Sequence, residues 1–254
     1  MSKVFQKQRN NIPLVVAHRG ASYDAPENTI ASFLLAWEQG ADAIEGDFHL
    51  TKDDHIVCIH DYDTNRVCET NLVIKDSTLE ELKKLDIGSH FGAQFSDQRI
   101  PTIGQIFDTV PIGKKVLVEV KCGKELLPIL IHQIKLSNID LSQIIVISFD
   151  KYVIKECKVI EPNLVSLWLN DFDEDFDIEL ITSTLIDIKA DGISSNNTAT
   201  EKLPSAVIAL GKSYHSGWSI DNLDGIDKLI NWGTQSITTN NPGRVKVHLI
   251  SDME

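Results

Sequence analysis

Along most of its length the chain alternates short apolar runs, each ending in polar or charged residues, with segments whose apolar residues recur at helical spacing. That rhythm constrains the fold more than any other feature. Strand and helix in alternation build βα units, and βα units build a parallel sheet with helices outside it. The first strand is Leu14–His18. A helix over Asn28–Gln39 follows, with Ile30, Phe33, Leu34 and Trp37 on one face, Asn28 as a plausible N-cap and Gly40 as its stop. The second strand is Ala41–Leu50. Later strands fall at Lys115–Lys121, Ile144–Phe149, Leu164–Leu169, Asp191–Ser195, about Lys212–Ile220 and Ser236–Thr239. Between them lie helices over about Glu125–Leu136 and on to about Ile160, where Pro128 is tolerable only in a first turn. Further helices put Ile178, Ile181, Leu185 and Ile188 on one face, reach Leu210, and cover Leu223, Ile226 and Ile230.

Eight parallel strands is the number that closes a barrel. The expected fold is therefore α/β, a (β/α)8 TIM barrel, and 254 residues suit one domain of that kind over 1–254. One stretch breaks the rhythm. After a turn at Thr51–Asp54, the short strand His55–Ile59 reads as a hairpin partner, and residues 62–100 fit no βα unit. Thr78-Leu79-Glu80-Glu81-Leu82 starts a short helix, and Gly88, Phe91, Gly92 and Phe95 suggest irregular structure. We read about 53–100 as a small insertion after the second barrel strand, lying over the mouth, with a helix at Thr102–Thr109 resuming the series.

Parallel barrels carry their chemistry where strands end. Glu45 and Asp47 are two apart on a strand, so both point to one face. Two carboxylates aimed at one spot repel unless a cation or a proton lies between them. Glu119 and Lys121 repeat the spacing. Three hard oxygen ligands suit Mg²⁺ or Ca²⁺ better than zinc. His18 and His60 also end strands, and a histidine pair beside a metal can take and give protons near neutral pH. Arg19 has the planar fork for a phosphoryl oxygen, Lys121 a point charge, and Gly20 a free backbone turn. These parts suit phosphoryl transfer. Hydride transfer fits poorly, since neither GxGxxG nor a Walker A loop is present. Trp218 and Phe149, also at strand ends, either fill the core or wall the pocket against the apolar part of a substrate.

Composition narrows the partners. A net charge of −13 and a pI near 5.0 disfavour nucleic acid and anionic membranes as partners. The four cysteines form no CxxC pair, so reduced thiols in a cytoplasm are the simplest expectation. The polar stretch Met1–Asn11 has no apolar core of a signal peptide, and no run approaches the ~20 apolar residues of a membrane span.

In order along the chain come His18-Arg19-Gly20, Pro26-Glu27-Asn28-Thr29, Gly40-Ala41-Asp42 before Glu45-x-Asp47, and His60-Asp61. Thr78-Leu79-Glu80-Glu81-Leu82, Ile100-Pro101-Thr102, Glu119-Val120-Lys121, Gly217-Trp218-Ser219-Ile220 and Ile237-Thr238-Thr239 before Pro242 follow. As an ordered set these resemble the glycerophosphodiester phosphodiesterase family. The resemblance implies a (β/α)8 barrel, hydrolysis of glycerophosphodiesters to glycerol 3-phosphate and an alcohol, and one divalent metal on Glu45, Asp47 and Glu119. It implies His18 and His60 as the acid/base pair, unordered between the two roles, and Arg19 and Lys121 as phosphate contacts. It also leaves two routes open, attack by water and attack by the glycerol 2-hydroxyl through a cyclic phosphate. Competing readings are a lysophospholipase D-like enzyme on lipid substrates and a protein that binds a phosphodiester without cleaving it. Three departures from the family pattern stand out: Gly46 between the metal acids, Asp54 in the hairpin turn, and Asn240 where an aspartate is common.

Overall fold

The computed structural model describes residues 12–171, 176–196 and 200–251; the polar stretch Met1–Asn11 lies outside them. β1 (Leu14–His18), β2 (Ala43–Leu50), β4 (Lys115–Val120), β5 (Ile144–Ser148), β6 (Val165–Asn170), β7 (Gly192–Ser195), β8 (Ser213–Ser216) and β9 (Ser236–Thr239) form the barrel wall. Their order is β8-β7-β6-β5-β4-β2-β1-β9, every pairing parallel, and β3 (Ile56–Cys58) hangs antiparallel on β2. The seam between β8 and β9 has no regular ladder among the described residues. Thr238 closes it, donating from its amide to Ser216 Oγ at 2.8 Å and from Oγ1 to the Ser216 carbonyl at 3.1 Å. Eight strands thus make a nearly closed TIM barrel.

Helices alternate with the strands: α1 (Ile30–Glu38), α4 (Leu126–Leu136), α5 (Lys151–Ile160), α6 (Ile178–Asp187), α7 (Lys202–Ala209), α8 (Leu223–Asn231) and α9 (Pro242–Ser251). The last of these follows the eighth barrel strand with Pro242 at its first position, where a missing amide costs nothing. In α1 the N-cap is Thr29, not Asn28. Thr29 Oγ1 and Ser32 Oγ cap each other's backbone amides, and Asn28 is turned to φ 55° for another purpose. Gly40, at φ 82°, ends the helix as expected.

Strand alternation divides the apolar residues into two layers. One column of each strand packs outward under the helices. The other fills the barrel with Val16, Ala43, Leu117, Ile145, Ile147, Leu167 and Leu169. Further along the same inner columns stand His18 after Val16, Glu45 and Asp47 after Ala43, and Glu119 after Leu117. Burying an apolar column therefore aims these polar groups at one end of the barrel, the carboxyl end of its strands.

Between β3 and α3 (Ile103–Phe107) the chain carries the single helical turn α2 (Leu79–Leu82), capped by Thr78 and Glu81. This stretch has its own apolar centre: Val57, Ile59, Val67, Ile74, Leu82, Leu85, Ile87 and Ile100. Asp54 occupies the hairpin turn at φ 60°, a conformation aspartate tolerates.

Candidate active site

Site residues arrive on strand ends and on the turns just beyond them. β1 ends at His18, and Arg19 follows at φ 56°, left-handed, before Gly20 at φ 84°. A side chain at Gly20 would strike Ser32 Oγ and backbone, so glycine is required there. The bend lets the Arg19 amide donate to Glu45 Oε2 at 3.0 Å, while its carbonyl accepts from the Asn28 amide at 3.0 Å. Asn28 then grips Asp47 with both ends of its amide. Nδ2 donates to Asp47 Oδ2 at 2.8 Å, and Oδ1 accepts from the Asp47 amide at 3.2 Å. Asn28 is thus a strut of the acid cluster.

Gly46 sits in a regular ladder opposite Val118. A Cβ there would lie 2.9 Å from Cys58 Sγ and 3.3 Å from Asn28 Oδ1. Cys58 Sγ donates to that same Asn28 oxygen at 3.1 Å. The missing side chain makes room for the strut and its thiol.

Glu45, Asp47 and Glu119 each offer a carboxylate oxygen to a common point, all within 4.8 Å of one another. All three are buried. Lys121 Nζ donates to Glu119 Oε1 at 2.9 Å and lies 3.4 Å from Asp47 Oδ1. Arg19 Nη1 donates to Glu27 Oε1 at 3.1 Å, and Nε lies 3.2 Å from Asp47 Oδ2 without being aligned to it. Burial pushes the Asp47 carboxyl up, but Arg19, Lys121 and His60 outweigh it and hold the group below the ordinary aspartate range. Glu45 goes the other way, pushed well up by burial and by its two acid neighbours. Glu119 is pushed up to about 7, by burial and then by Asp47. Both glutamic acids thus bind a proton more readily than a free one, and a cation would compete with that proton. Four buried side-chain polar atoms lack a partner among the described residues, and two of them, Glu45 Oε1 and Arg19 Nε, are in this cluster. A bare acceptor among three carboxylates fits a divalent metal.

The two histidines flank the cluster with different partners. His18 Nδ1 lies 2.8 Å from Asn240 Oδ1. Asn240 Nδ2 and its backbone amide donate to Asp221, at 3.1 and 3.0 Å, and Ser22 Oγ donates to Asn240 Oδ1 at 3.0 Å. That pattern fixes the amide with its oxygen toward the ring, so Nδ1 carries the hydrogen. Burial, then Arg19, lowers the pKa of His18 below the ordinary histidine value. His60 Nδ1 instead faces a carboxylate, Asp61 Oδ1, at 2.7 Å. The negative group missing at Asn240 is present one residue further out, as Asp221.

Every residue singled out from sequence comes to this end of the barrel. His60 and Lys121 stand just past the ends of β3 and β4, and Trp218 lies two residues beyond β8, whose last residue is Ser216 rather than Ile220. Trp218 packs on the apolar barrel interior and against Phe149, ring centroids 5.0 Å apart. A cavity of about 360 Å³ opens beside His18, Arg19, Ser22, Tyr23, Glu27 and Asn240. A second, of about 370 Å³, lies by Glu119, Lys121, Ser148 and Phe149. Sequence reasoning assigns no site role to Glu27, Asn28, Asp61, Arg66 or Asp221. The φ > 0 of Asn28 hints at a special position only once the backbone is known.

Comparison with known proteins decides the family. The glycerophosphoryl diester phosphodiesterase family matches residues 18–244. The chain belongs to that family. It is 36% identical over 238 residues to a glycerophosphodiester phosphodiesterase of Caldanaerobacter subterraneus subsp. tengcongensis, covering 90% of this chain and 94% of that one. Its fold is that of an Oleispira antarctica phosphodiesterase solved with the product sn-glycerol-3-phosphate, with TM-score 0.84, 24% identity, and 94% of this chain and 97% of that one covered. With its family the chain is a phosphodiesterase, and its acid cluster can hold a divalent metal. No helix among the described residues is long and apolar enough to cross a membrane.

Proposed function

We propose that this protein, acting as a single domain, hydrolyses glycerophosphodiesters to sn-glycerol 3-phosphate and an alcohol, with Mg²⁺ or Ca²⁺ on Glu45, Asp47 and Glu119. The observation that carries the reading is the convergence of those three buried carboxylates, with Glu45 Oε1 unpaired, between Arg19 and Lys121. Charge supports it. Were all three carboxylates ionised, they would outnumber the two cations by one and repel a phosphodiester. A dication held by Glu45, Asp47 and Glu119 would instead make the site positive, matching the single negative charge of the substrate, and would supply Lewis-acid stabilisation of the phosphoryl oxygens.

The surroundings of the two rings support a division of labour. His18, buried, neutral and with hydrogen on Nδ1, presents Nε2 as a lone pair and takes the proton of the attacking hydroxyl. His60, backed by the Asp61 carboxylate, supports positive charge on its ring and gives a proton to the departing alcohol oxygen. The new P–O bond forms as the P–O bond to the alcohol breaks. Arg19 and Lys121 hold the phosphoryl oxygens, and Trp218 with Phe149 walls the apolar side of the substrate. If the glycerol 2-hydroxyl attacks, the product is a cyclic phosphate, which water then opens with the two rings in exchanged roles.

The test is release of sn-glycerol 3-phosphate from a panel of head-group diesters, with Mg²⁺ or Ca²⁺ added to chelator-stripped protein. Release that returns with the metal supports the reading. Full activity in excess EDTA contradicts the metal, and binding of diesters without product contradicts the enzyme. Oxygen-18 from water entering in the first step counts against the cyclic route.

A further inference from the structure

Beyond His60 and Asp61, the irregular stretch between β3 and α3 reaches the site through Arg66. Arg66 Nε donates to Asp61 Oδ2 at 2.6 Å, Nη1 to Glu27 Oε2 at 2.9 Å and Nη2 to Glu27 Oε1 at 2.8 Å. Asp61 spends its other oxygen on His60, and Glu27 Oε1 also accepts from Arg19. The order is therefore His60, Asp61, Arg66, Glu27, Arg19. Glu27 comes from the turn before α1, Asp61 from the segment after β3. Without a cation between them these two carboxylates repel each other and are free to turn away from their partners.

Exposed ion pairs ordinarily contribute little, and Arg66 is 45% exposed. Two features set this one apart. The guanidinium uses both its bidentate edge and its Nε, a reach no ammonium has. Each carboxylate it holds is itself bonded to a residue of the reaction site. Burial pushes both carboxyls up, yet their hydrogen bonds to Arg66, with those to Arg19 and His60, hold Glu27 and Asp61 below their ordinary ranges.

We propose that Arg66 is a positioning residue for the phosphodiesterase reaction, bridging Asp61 and Glu27 so that the His60 ring and the Arg19 guanidinium are held together. The inference rests on the roles given above to His60 and Arg19. On this reading the insertion carries the bridge that couples the proton donor to the phosphate clamp. Losing the hold on Asp61 lowers kcat, and losing the hold on Glu27 raises KM.

Steady-state kinetics of Arg66→Ala and Arg66→Lys with a glycerophosphodiester, with and without ethylguanidinium at constant ionic strength, test it. A cavity of about 700 Å³ lined by Arg66, Lys84, Asp86 and His90 opens beside the bridge, so a small guanidinium ion can enter the vacated place. The expected result for Arg66→Ala is a fall in kcat with a rise in KM, together ~10–100-fold in kcat/KM. Ethylguanidinium then restores part of that loss and leaves the wild-type protein unchanged. Wild-type kcat and KM in Arg66→Ala overturn the proposal. So does a loss that ethylguanidinium leaves untouched in a variant with wild-type thermal unfolding. Should Arg66→Ala fail to fold, Arg66→Lys decides: turnover below wild type supports the bridge, and wild-type turnover overturns it. If the wild-type protein releases no glycerol 3-phosphate, the activity itself falls and the bridge with it, an outcome distinct from the variant results.

Discussion

His18 and His60 look onto one acid cluster from two sides of the barrel mouth, and their surroundings differ in kind. On the His18 side the ring meets a neutral amide that is itself held by a carboxylate one step away. On the His60 side the ring meets a carboxylate directly, and an arginine from the insertion stands behind it. Two identical side chains thus meet different acceptors at Nδ1. Both acceptors fix the tautomer by taking the Nδ1 hydrogen, but only the carboxylate sets a full negative charge beside the ring. The difference teaches that acid and base need not be distinct residue types when the atom behind Nδ1 differs.

The largest effects expected come from removing the rings. His18→Ala and His60→Ala should each cut turnover of an alkyl glycerophosphodiester by ~10²–10⁴-fold with the fold intact, read by product release and by circular dichroism. A variant with near-wild-type turnover removes that ring from the chemistry. Next comes the amide. Asn240→Leu leaves Nδ1 of His18 without its acceptor, and kcat should fall ~10–100-fold while KM changes little. An unchanged kcat would mean that the amide does not set the tautomer.

A smaller effect tests the floor beneath both sides. Gly46→Ala puts a methyl 2.9 Å from Cys58 Sγ and should cost ~1–3 kcal/mol in denaturant unfolding, with Cys58→Ala in the same chain recovering most of it. If Cys58→Ala recovers nothing, the thiol is not what the glycine accommodates. The smallest is a pH effect. Glu119 has its pKa raised from 4.5 to about 7 in the folded protein, so folding binds an extra proton between those values. The metal-free protein should therefore lose stability as pH rises from about 4.5 to about 7, its carboxylates then repelling without protons. A divalent metal replaces those protons, so the rise in Tm on adding Mg²⁺ or Ca²⁺ should be larger at neutral pH than in mild acid. An equal shift at both would argue against Glu119 as a ligand.

The two sides also differ in how far the sequence discloses them. Strand alternation alone puts Glu45 and Asp47 on one face, and the βα rhythm brings Glu119 beside them, because period and topology are local or nearly local properties. Of the groups behind the two rings, Asp61 alone is local, next to His60 in sequence. Asn240 reaches His18 across 222 positions, and Arg66 reaches Glu27 across 39, so neither pairing leaves a periodic trace. Asn28 occupies a position where sequence favours an N-cap. The cap passes to Thr29 because the left-handed turn at Asn28 serves Asp47 instead. The carboxyl ends of strands expected from sequence fall within one residue of the observed ones except at β8, where the loop carrying Trp218 continues the apolar pattern past the last ladder residue.

The division of roles between the rings is tested most directly by changing the leaving group. A p-nitrophenyl diester departs without needing a proton, whereas an alkyl diester needs one. The account predicts that His60→Ala releases p-nitrophenol from the p-nitrophenyl diester in its first turnover at close to the wild-type rate while remaining crippled on an alkyl diester, and that His18→Ala is crippled on both. Recovery of His18→Ala instead, or equal losses for both variants on both substrates, would contradict it.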